Sequence, residues 1–362
     1  MKTNKYIISG GGTGGHIFPA LSIANKIKKE NPESDFLFVG SIGNMEMNKI
    51  PDSGFSIIGL PIDGFQRSLS YRNILFPFKL FISLIKSIFL VIRYKPDAVI
   101  GTGGFASGPV VFVSQILGYP TLIQEQNSYA GVTNKILGKR ANLVAVAYPK
   151  MEKFFSKEKI VFTGNPVRKD IIDNDIKSLD AKLFFDLDPD KPVIGVIGGS
   201  LGALKINQVI SNYLNVFNDL GVQVIWQCGK LYYERYKIKE TINIKIIPFI
   251  TRMDYLYKAV DALISRSGAS TISEICITNT PSVLIPSPNV AENHQYHNAM
   301  ALYNEKASEL IEEKNLDKNF KIVLTKFWLN DSLRKEMQKK LQKLSKPNAT
   351  EEIVRHIKKI IN

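Results

Sequence analysis

Cysteine is nearly missing from this sequence. Its 362 residues hold two, Cys228 and Cys276. Each sits among apolar neighbours and neither has metal-ligand spacing, so both read as reduced core thiols of a cytosolic protein rather than parts of a disulfide framework. Histidine is scarce too, at four, which leaves few groups that change charge near neutral pH. No zinc-finger, helix-turn-helix or aromatic RNA-binding signature is present, so nucleic acid is not the expected partner despite a net charge of +14. No carboxylate cage calls for a metal; the acidic DLDPD, Asp186 to Asp190, reads as a connector before a strand. Repeats and low-complexity tracts are absent. No secretory leader is read either, because Met1-Lys2-Thr3-Asn4-Lys5 runs straight into a strand.

What remains is ordinary globular material, 44% hydrophobic and 22% charged, long enough for two cored domains. The excess of 47 basic over 33 acidic residues suits an anionic membrane face or a phosphorylated substrate. Part of it, at Lys335, Lys339, Lys340 and Lys343, reads simply as a solvated helix face.

Short apolar strands alternate with helical patterns, the mark of parallel sheets covered by helices. Strand Tyr6 to Ser9 enters GGGTGGH, Gly10 to His16, before a helix expected from Pro19 to Glu30. Five glycines in seven residues let a ligand touch bare backbone at the carboxyl edge of a sheet. This is neither the dinucleotide fingerprint, since no acidic residue clearly ends the strand Phe36 to Val39, nor a P-loop, since its lysine is missing. His16 at the mouth of the loop is a candidate general base; the alternative is a helix-start residue bonded to its own loop. Strands Asp97 to Gly101 and Thr121 to Gln124 end in two more polar loops, GTGGFASGP and EQNSYAGVTN. Three such loops on one edge indicate a site for a polyol or phosphate.

Strand Ile160 to Thr163 ends in GNPVR, and a second series opens with Val193 to Ile197 and GGSLGALKIN, followed by strands Val222 to Trp226, Lys245 to Pro248 and Ser282 to Ile285. The expected domains are 1–165 with 347–362, and 166–346, their carboxyl edges facing one another. The segment Asp261 to Ile275 is the strongest single signal: a buried strand, Ala262 to Ile264, then Arg266-Ser267-Gly268, then helical spacing. Ser270 and Thr271 stand where a helix start wants hydroxyl acceptors, the free amides suit an anion, and Glu274 one turn on suits a pair of sugar hydroxyls. A plain capped helix is the competing reading. In the loop Ser287 to Ala299, Asn293, His294, Gln295 and Asn298 also suit sugar hydroxyls, or else cap a helix.

The most apolar run, Ile74 to Ile92, carries Lys79, Ser83, Lys86 and Arg93 on one stripe at helical spacing, with Arg67 and Arg72 upstream. Such a helix is either buried or dips into a bilayer surface. Burial is expected for most of it, and Leu75, Phe76, Phe78, Lys79, Phe81 and Ile82 form the alternative membrane patch.

In this order, GGGTGGH, GTGGFASGP, EQN…AGVTNK, GNPVR, GGSLGA, SRSGASTISE and NHQYHNA resemble the MurG family of bacterial N-acetylglucosaminyltransferases across nearly the whole chain. The resemblance implies an α/β fold of GT-B type, two Rossmann-like parallel-sheet domains facing a central cleft. It implies inverting transfer of N-acetylglucosamine from UDP-N-acetylglucosamine to the C4 hydroxyl of lipid I, undecaprenyl-pyrophosphoryl-MurNAc-pentapeptide. The product is lipid II, for peptidoglycan. It also implies peripheral attachment to an anionic phospholipid surface at the cytoplasmic face of the inner membrane, cell-wall and division proteins as partners, and no cofactor.

By the same resemblance the donor touches Thr13, Gly14, Gly15, Asn127, Arg168, Ser200, Ile250, Gln295 and the run Ala269, Ser270, Thr271, Ile272, Ser273 and Glu274. Glu274 would hold the ribose, the Ile250 backbone the uracil, Ser200 and Thr271 the diphosphate, and Gln295 with Asn127 the sugar. Arg168 and Arg266 would add positive charge, and His16 would be the base. Three positions depart from the family: Gln124 where a His is usual, Phe105 for a Tyr, and Leu201 for a Gln. A related transferase acting on diacylglycerol and a UDP-sugar sensor without catalysis are the rival readings.

Overall fold

The computed structural model describes residues 3–64 and 71–361, and the side chains of all of these but residues 71–73. The chain divides into two compact units, residues 1–167 with 347–362, and residues 168–346.

In unit 1 seven strands form one wholly parallel sheet: β1 (Lys5–Ser9), β2 (Asp35–Ser41), β3 (Ser56–Leu60), β4 (Ala98–Gly101), β5 (Thr121–Glu125), β6 (Leu143–Val146) and β7 (Ile160–Phe162). Their order is 3-2-1-4-5-6-7. Parallel strands covered on both faces read as unbroken apolar runs, and Tyr6, Ile7, Ile8, Val99 and Ile100 are buried accordingly. The order reverses between β1 and β4, which pair with Ser9 opposite Gly101. The two glycine-rich loops therefore leave adjacent strands at the switch point, where open α/β sheets bind ligands. The last helix, Ala349–Ile361, belongs to this unit. Its Ile353, Val354 and Ile357 share a core with Ile23 and Ile27 of α1 (Gly14–Glu30), and Lys26–Glu351 and Lys358–Glu30 ion pairs of 2.9 and 2.6 Å lie at its edge.

Unit 2 repeats the plan with β8 (Val193–Ile197), β9 (Gln223–Gln227), β10 (Ile244–Ile247), β11 (Ala262–Ser265), β12 (Ser282–Leu284) and β13 (Glu309–Leu310) in the order 10-9-8-11-12-13. All neighbours are parallel and the reversal falls between β8 and β11. Trp226, Phe217, Phe320 and Phe327 fill its core, and the buried indole N–H of Trp226 donates to Asn207 at 3.0 Å.

Three elements differ from the sequence-based expectation. α1 begins at Gly14 rather than near Pro19, so Gly14, Gly15 and His16 form its first turn. α2 (Glu46–Asp52) turns a glutamate inward after β2, which the pattern alone did not suggest. The apolar run becomes α3 (Tyr71–Tyr94), and its faces are inverted. Its inner stripe is Ser83, Ser87 and Val91, all buried, with the Ser87 hydroxyl donating to the Ser83 carbonyl. Ser83 is thus not on the exposed basic stripe. Ile74, Phe78, Phe81 and Phe89 are 72, 68, 63 and 70% exposed, and Leu75, Ile82, Ile85, Ile88 and Ile92 are exposed with them. Small side chains inside allow close packing on α4 (Ser107–Ile116), and the large ones are left outside. The expected burial of most of the run is overturned. Arg67 and the Arg72 side chain lie outside the described residues.

Candidate active site

In unit 1 the loops after β1 and β4 meet partly through bare backbone, and the Thr102 hydroxyl, the His16 ring and the Gln126 side chain of the loop after β5 fill the rest of the contact. A Cβ on Gly10 would fall 1.9 Å from the Thr102 hydroxyl, and one on Gly104 would fall 2.4 Å from the Gly11 carbonyl oxygen. Gly104 also has φ +78, open to glycine but strained for other residues. His16 is pressed into this contact. Its Nδ1 lies 2.9 Å from the Gly11 carbonyl oxygen and 3.3 Å from the Thr13 hydroxyl, and its own carbonyl accepts from the Thr102 hydroxyl at 2.8 Å. A carbonyl can only accept, so Nδ1 carries the proton and the neutral ring keeps its lone pair on Nε2. The alternative reading of His16 is the one seen here: it is bonded to its own loop, and Nε2 is the ring nitrogen left without a proton.

Behind these loops lies a buried amide network. Gln126 donates to the Thr102 carbonyl at 2.6 Å and also to the Gln124 side chain. Gln124 donates to Asn165 at 2.8 Å, and Asn165 returns a bond to the Gln126 carbonyl at 3.0 Å. Gln124 therefore works as a brace, with no proton to exchange. Glu125 accepts from the Asn127 backbone and side chain, from Gly131 N–H and from Asn134. Burial raises its carboxyl above the usual range against the pull of those donors. Asn127 is thereby oriented by Glu125. Phe105 packs its ring beside Gly12 and Gly64.

In unit 2 the loops after β8 and β9 also touch backbone to backbone. Gly202, at φ +78, would place a Cβ 2.1 Å from the Cys228 carbonyl oxygen, and Gly229 would place one 2.3 Å from that of Leu201. Gln227, invisible as a site residue in the sequence, ties them to a third loop. Its amide donates to the Gly199 carbonyl at 2.8 Å and its oxygen accepts from Ile250 N–H at 3.1 Å. Ile250 is thus held by its own amide. Ser200 and Leu201 stand exposed at the tip.

The segment read first in the sequence folds as strand, turn and helix. Gly268 caps helix Ala269–Thr278, and no side chain bonds its cap position. Ser270 and Thr271 do not cap, contrary to expectation, because they lie inside the first turn; Ser273 bonds back to the Ala269 carbonyl at 3.0 Å. The first-turn amides keep no intrahelical acceptor. One turn further, Glu274 accepts from the Tyr257 hydroxyl at 2.9 Å. Arg168 lies close enough to lower the Glu274 pKa. Gln295 sits beside the same turn: its carbonyl accepts from the Ser267 hydroxyl at 2.8 Å, and its side-chain oxygen accepts from Ser287 N–H at 2.9 Å.

Arg266 does not supply open positive charge. Its guanidinium is mostly buried, donates to the Ile285 carbonyl at 3.1 Å and pairs with Glu313, so it braces β11 against its neighbours. Beside it a hollow of about 420 Å³ is lined by Pro286, Asn293, Tyr296 and charges already paired, among them Lys205–Asp317 at 2.6 Å and Lys314–Glu312 at 3.0 Å. Among the described residues no cluster of three or more His, Cys, Asp or Glu is placed to hold a metal ion.

Two parallel sheets, each with glycine-rich loops at its carboxyl edge and one presenting a helix start uncapped by any side chain, with a carboxylate one turn on, define a two-domain glycosyltransferase of GT-B type. The N-terminal domain of glycosyltransferase family 28 matches residues 6–146 and the C-terminal domain residues 193–358. The chain belongs to glycosyltransferase family 28. It is 51% identical, over 100% of its length and 99% of the relative, to the UDP-N-acetylglucosamine–N-acetylmuramyl-(pentapeptide) pyrophosphoryl-undecaprenol N-acetylglucosamine transferase of Flavobacterium psychrophilum. It is 47% identical to the enzyme of the same name from Christiangramia forsetii, over 99% of this chain and 98% of that one. The crystal structure of Acinetobacter baumannii MurG superposes with a TM-score of 0.79 at 29% identity, covering 98% of this chain and 99% of the other.

Glu274 generates a pH test. Burial raises its pKa to about 7, with Arg168 and the Tyr257 hydroxyl pulling the other way. An acid raised on folding contributes stability that is complete below its unfolded pKa and lost as pH rises through the folded value. Denaturant unfolding between pH 4.5 and about pH 7 should therefore show wild-type stability falling relative to Glu274→Gln. Parallel pH curves for the two proteins would show that Glu274 does not titrate there.

Proposed function

We propose that this chain transfers N-acetylglucosamine from UDP-N-acetylglucosamine to N-acetylmuramyl-(pentapeptide) pyrophosphoryl-undecaprenol. The observation that carries the reading is 51% identity, end to end, to a transferase of that name. Unit 2 is the donor half in this proposal. Its Ala269–Thr278 helix start receives the diphosphate, with Thr271 and Ser200 beside it, and Glu274 accepts from ribose hydroxyls. Ile250 lies at the uracil, its carbonyl side the one available, and Gln295 orients the sugar.

Unit 1 is the acceptor half. The acceptor C4 hydroxyl oxygen attacks the anomeric carbon as its proton passes to His16 Nε2. The bond from that carbon to the diphosphate breaks on the opposite face, and the electron pair leaves with UDP, inverting the centre. Negative charge grows on the diphosphate, where helix-start amides are most effective; one such donor is worth about 3 kcal/mol. Transfer of labelled N-acetylglucosamine to a lipid I analogue, with no transfer to diacylglycerol, is the expected result. His16→Ala should lower kcat by about a hundredfold or more with little change in KM for the donor. Unchanged kcat would remove His16 as the base, and transfer to diacylglycerol alone would refute the acceptor.

The exposed side of α3 supports a second element of the reading, peripheral attachment to an anionic bilayer. Phe78, Phe81, Phe89 and their neighbours would insert below the headgroups while Lys86 and Arg93, both exposed, meet lipid phosphates. Lys79 contributes less than its place on the stripe suggested, since it pairs with Asp63. By length and composition Ile74–Tyr94 could cross a membrane, but its packing on α4 through Ser83, Ser87 and Val91 favours lying flat. Co-sedimentation with phosphatidylglycerol vesicles should fall at least tenfold in the Phe78→Asp/Phe81→Asp double variant, with soluble-substrate turnover retained. Equal sedimentation of the two proteins would dismiss the patch.

A further inference from the structure

The fully buried Glu46 has no part in the chemistry described so far, yet two glycines make room for it. A Cβ on Gly11 would fall 2.2 Å from its Oε1, and one on Gly40 would fall 2.6 Å from its Cγ. Its Oε1 accepts from Ser41 N–H and its Oε2 from Gly12 N–H, each at 3.0 Å. Gly12 N–H and the Gly11 carbonyl belong to one peptide group, and that carbonyl is the one receiving His16 Nδ1–H at 2.9 Å. In a trans peptide the two bonds point opposite ways, so the carboxylate, the peptide and the imidazole lie in series.

We propose that Glu46 is a positioning residue for His16, acting through the Gly11–Gly12 peptide to fix the tautomer and raise the basicity of the ring. A carboxylate accepting from the N–H polarises the peptide and strengthens its carbonyl as an acceptor, because hydrogen bonds in a chain reinforce one another. The stronger acceptor holds the proton on Nδ1 and favours the imidazolium that forms when Nε2 takes a proton. Glu46 also fixes the plane of that peptide, and with it the direction of the ring. His16 also meets the Thr13 hydroxyl and the Gly103–Gly104 backbone, with the Gln126 side-chain oxygen near Gly103. Glu125, the other buried acid of this edge, is turned to Asn127, Gly131 and Asn134. The proposal rests on the reading of His16 as the base, but its first test does not.

That test is nitrogen-15 NMR of the full-length wild-type protein, with the His16 signals identified by their loss in His16→Ala. Neutral His16 should be the Nδ1–H tautomer; a dominant Nε2–H tautomer would overturn the proposal without any further variant. In Glu46→Gln one of the two backbone donors faces an amide NH2 instead of an oxygen. The His16 pKa should fall by roughly half a unit, the Nδ1–H population should drop, and the acid limb of the kcat profile should move to lower pH by the same amount. KM for UDP-N-acetylglucosamine should stay unchanged, which shows that the donor half is folded. An unshifted His16 pKa and acid limb in a folded Glu46→Gln protein would refute the relay and leave Glu46 a loop brace. If instead His16→Ala turns over normally, the assignment of the base fails while the tautomer result stands.

Discussion

Contact between bare backbones, at the switch point of unit 1 and on the β8–β9 side of the sheet in unit 2, is the constraint on which the rest depends. In unit 1 the loop after β4 lies against the loop after β1, and in unit 2 the loop after β8 lies against the loop after β9. At Gly104 and Gly202 a single methyl would overlap a neighbouring carbonyl oxygen, and the local φ of +78 excludes most other residues as well. Where the glycines meet backbone directly, amides and carbonyls are left close to one another at the carboxyl ends of the strands. Polar side chains from elsewhere in each unit then hold the loops in place.

Each unit uses a buried amide or acid for that purpose. Gln227 bonds to the Gly199 carbonyl and to Ile250 N–H, joining two loops of unit 2. Gln124, Gln126 and Asn165 do the same beneath Thr102 in unit 1, and Glu46 supports Gly12 from behind. Such networks are costly unless their members are bonded. In unit 1 His16 is held by the Gly11–Gly12 peptide that Glu46 supports, and in unit 2 Glu274 is held by Tyr257 and Gln295 by Ser267 and Ser287. The arrangement suits the single displacement proposed above, since what such a step requires most is position and fixed partial charge.

Local signals were the readable ones. β8 was read at the residues it occupies, and β1, β4 and β7 to within one residue, because short apolar runs ending in glycine have few other solutions. β3, β6 and β13 went unread. β3 alternates exposed and half-buried residues, and β13 has only two residues. The direction of α3 was misread because composition reports that a helix is apolar but not which side is covered; two buried serines reversed the expected faces. Glu46, Gln227, Tyr257 and Asn165 could not be found as site residues, since each has a partner 17 to 41 positions away in the chain and only the folded register brings them together. Arg266 shows the opposite error: its place in a promising motif suggested a ligand contact, and a distant glutamate takes its charge.

The division of labour between the units can be tested by titrating UDP, in a calorimeter, into Gly202→Ala and Gly104→Ala proteins alongside the wild type. Each change forces a methyl into a backbone contact between loops, one in unit 2 and one in unit 1. The account predicts that Gly202→Ala weakens UDP binding by about tenfold or more, about 1.4 kcal/mol, and that Gly104→Ala leaves it at the wild-type value. Wild-type affinity in Gly202→Ala, or a loss confined to Gly104→Ala, would contradict it.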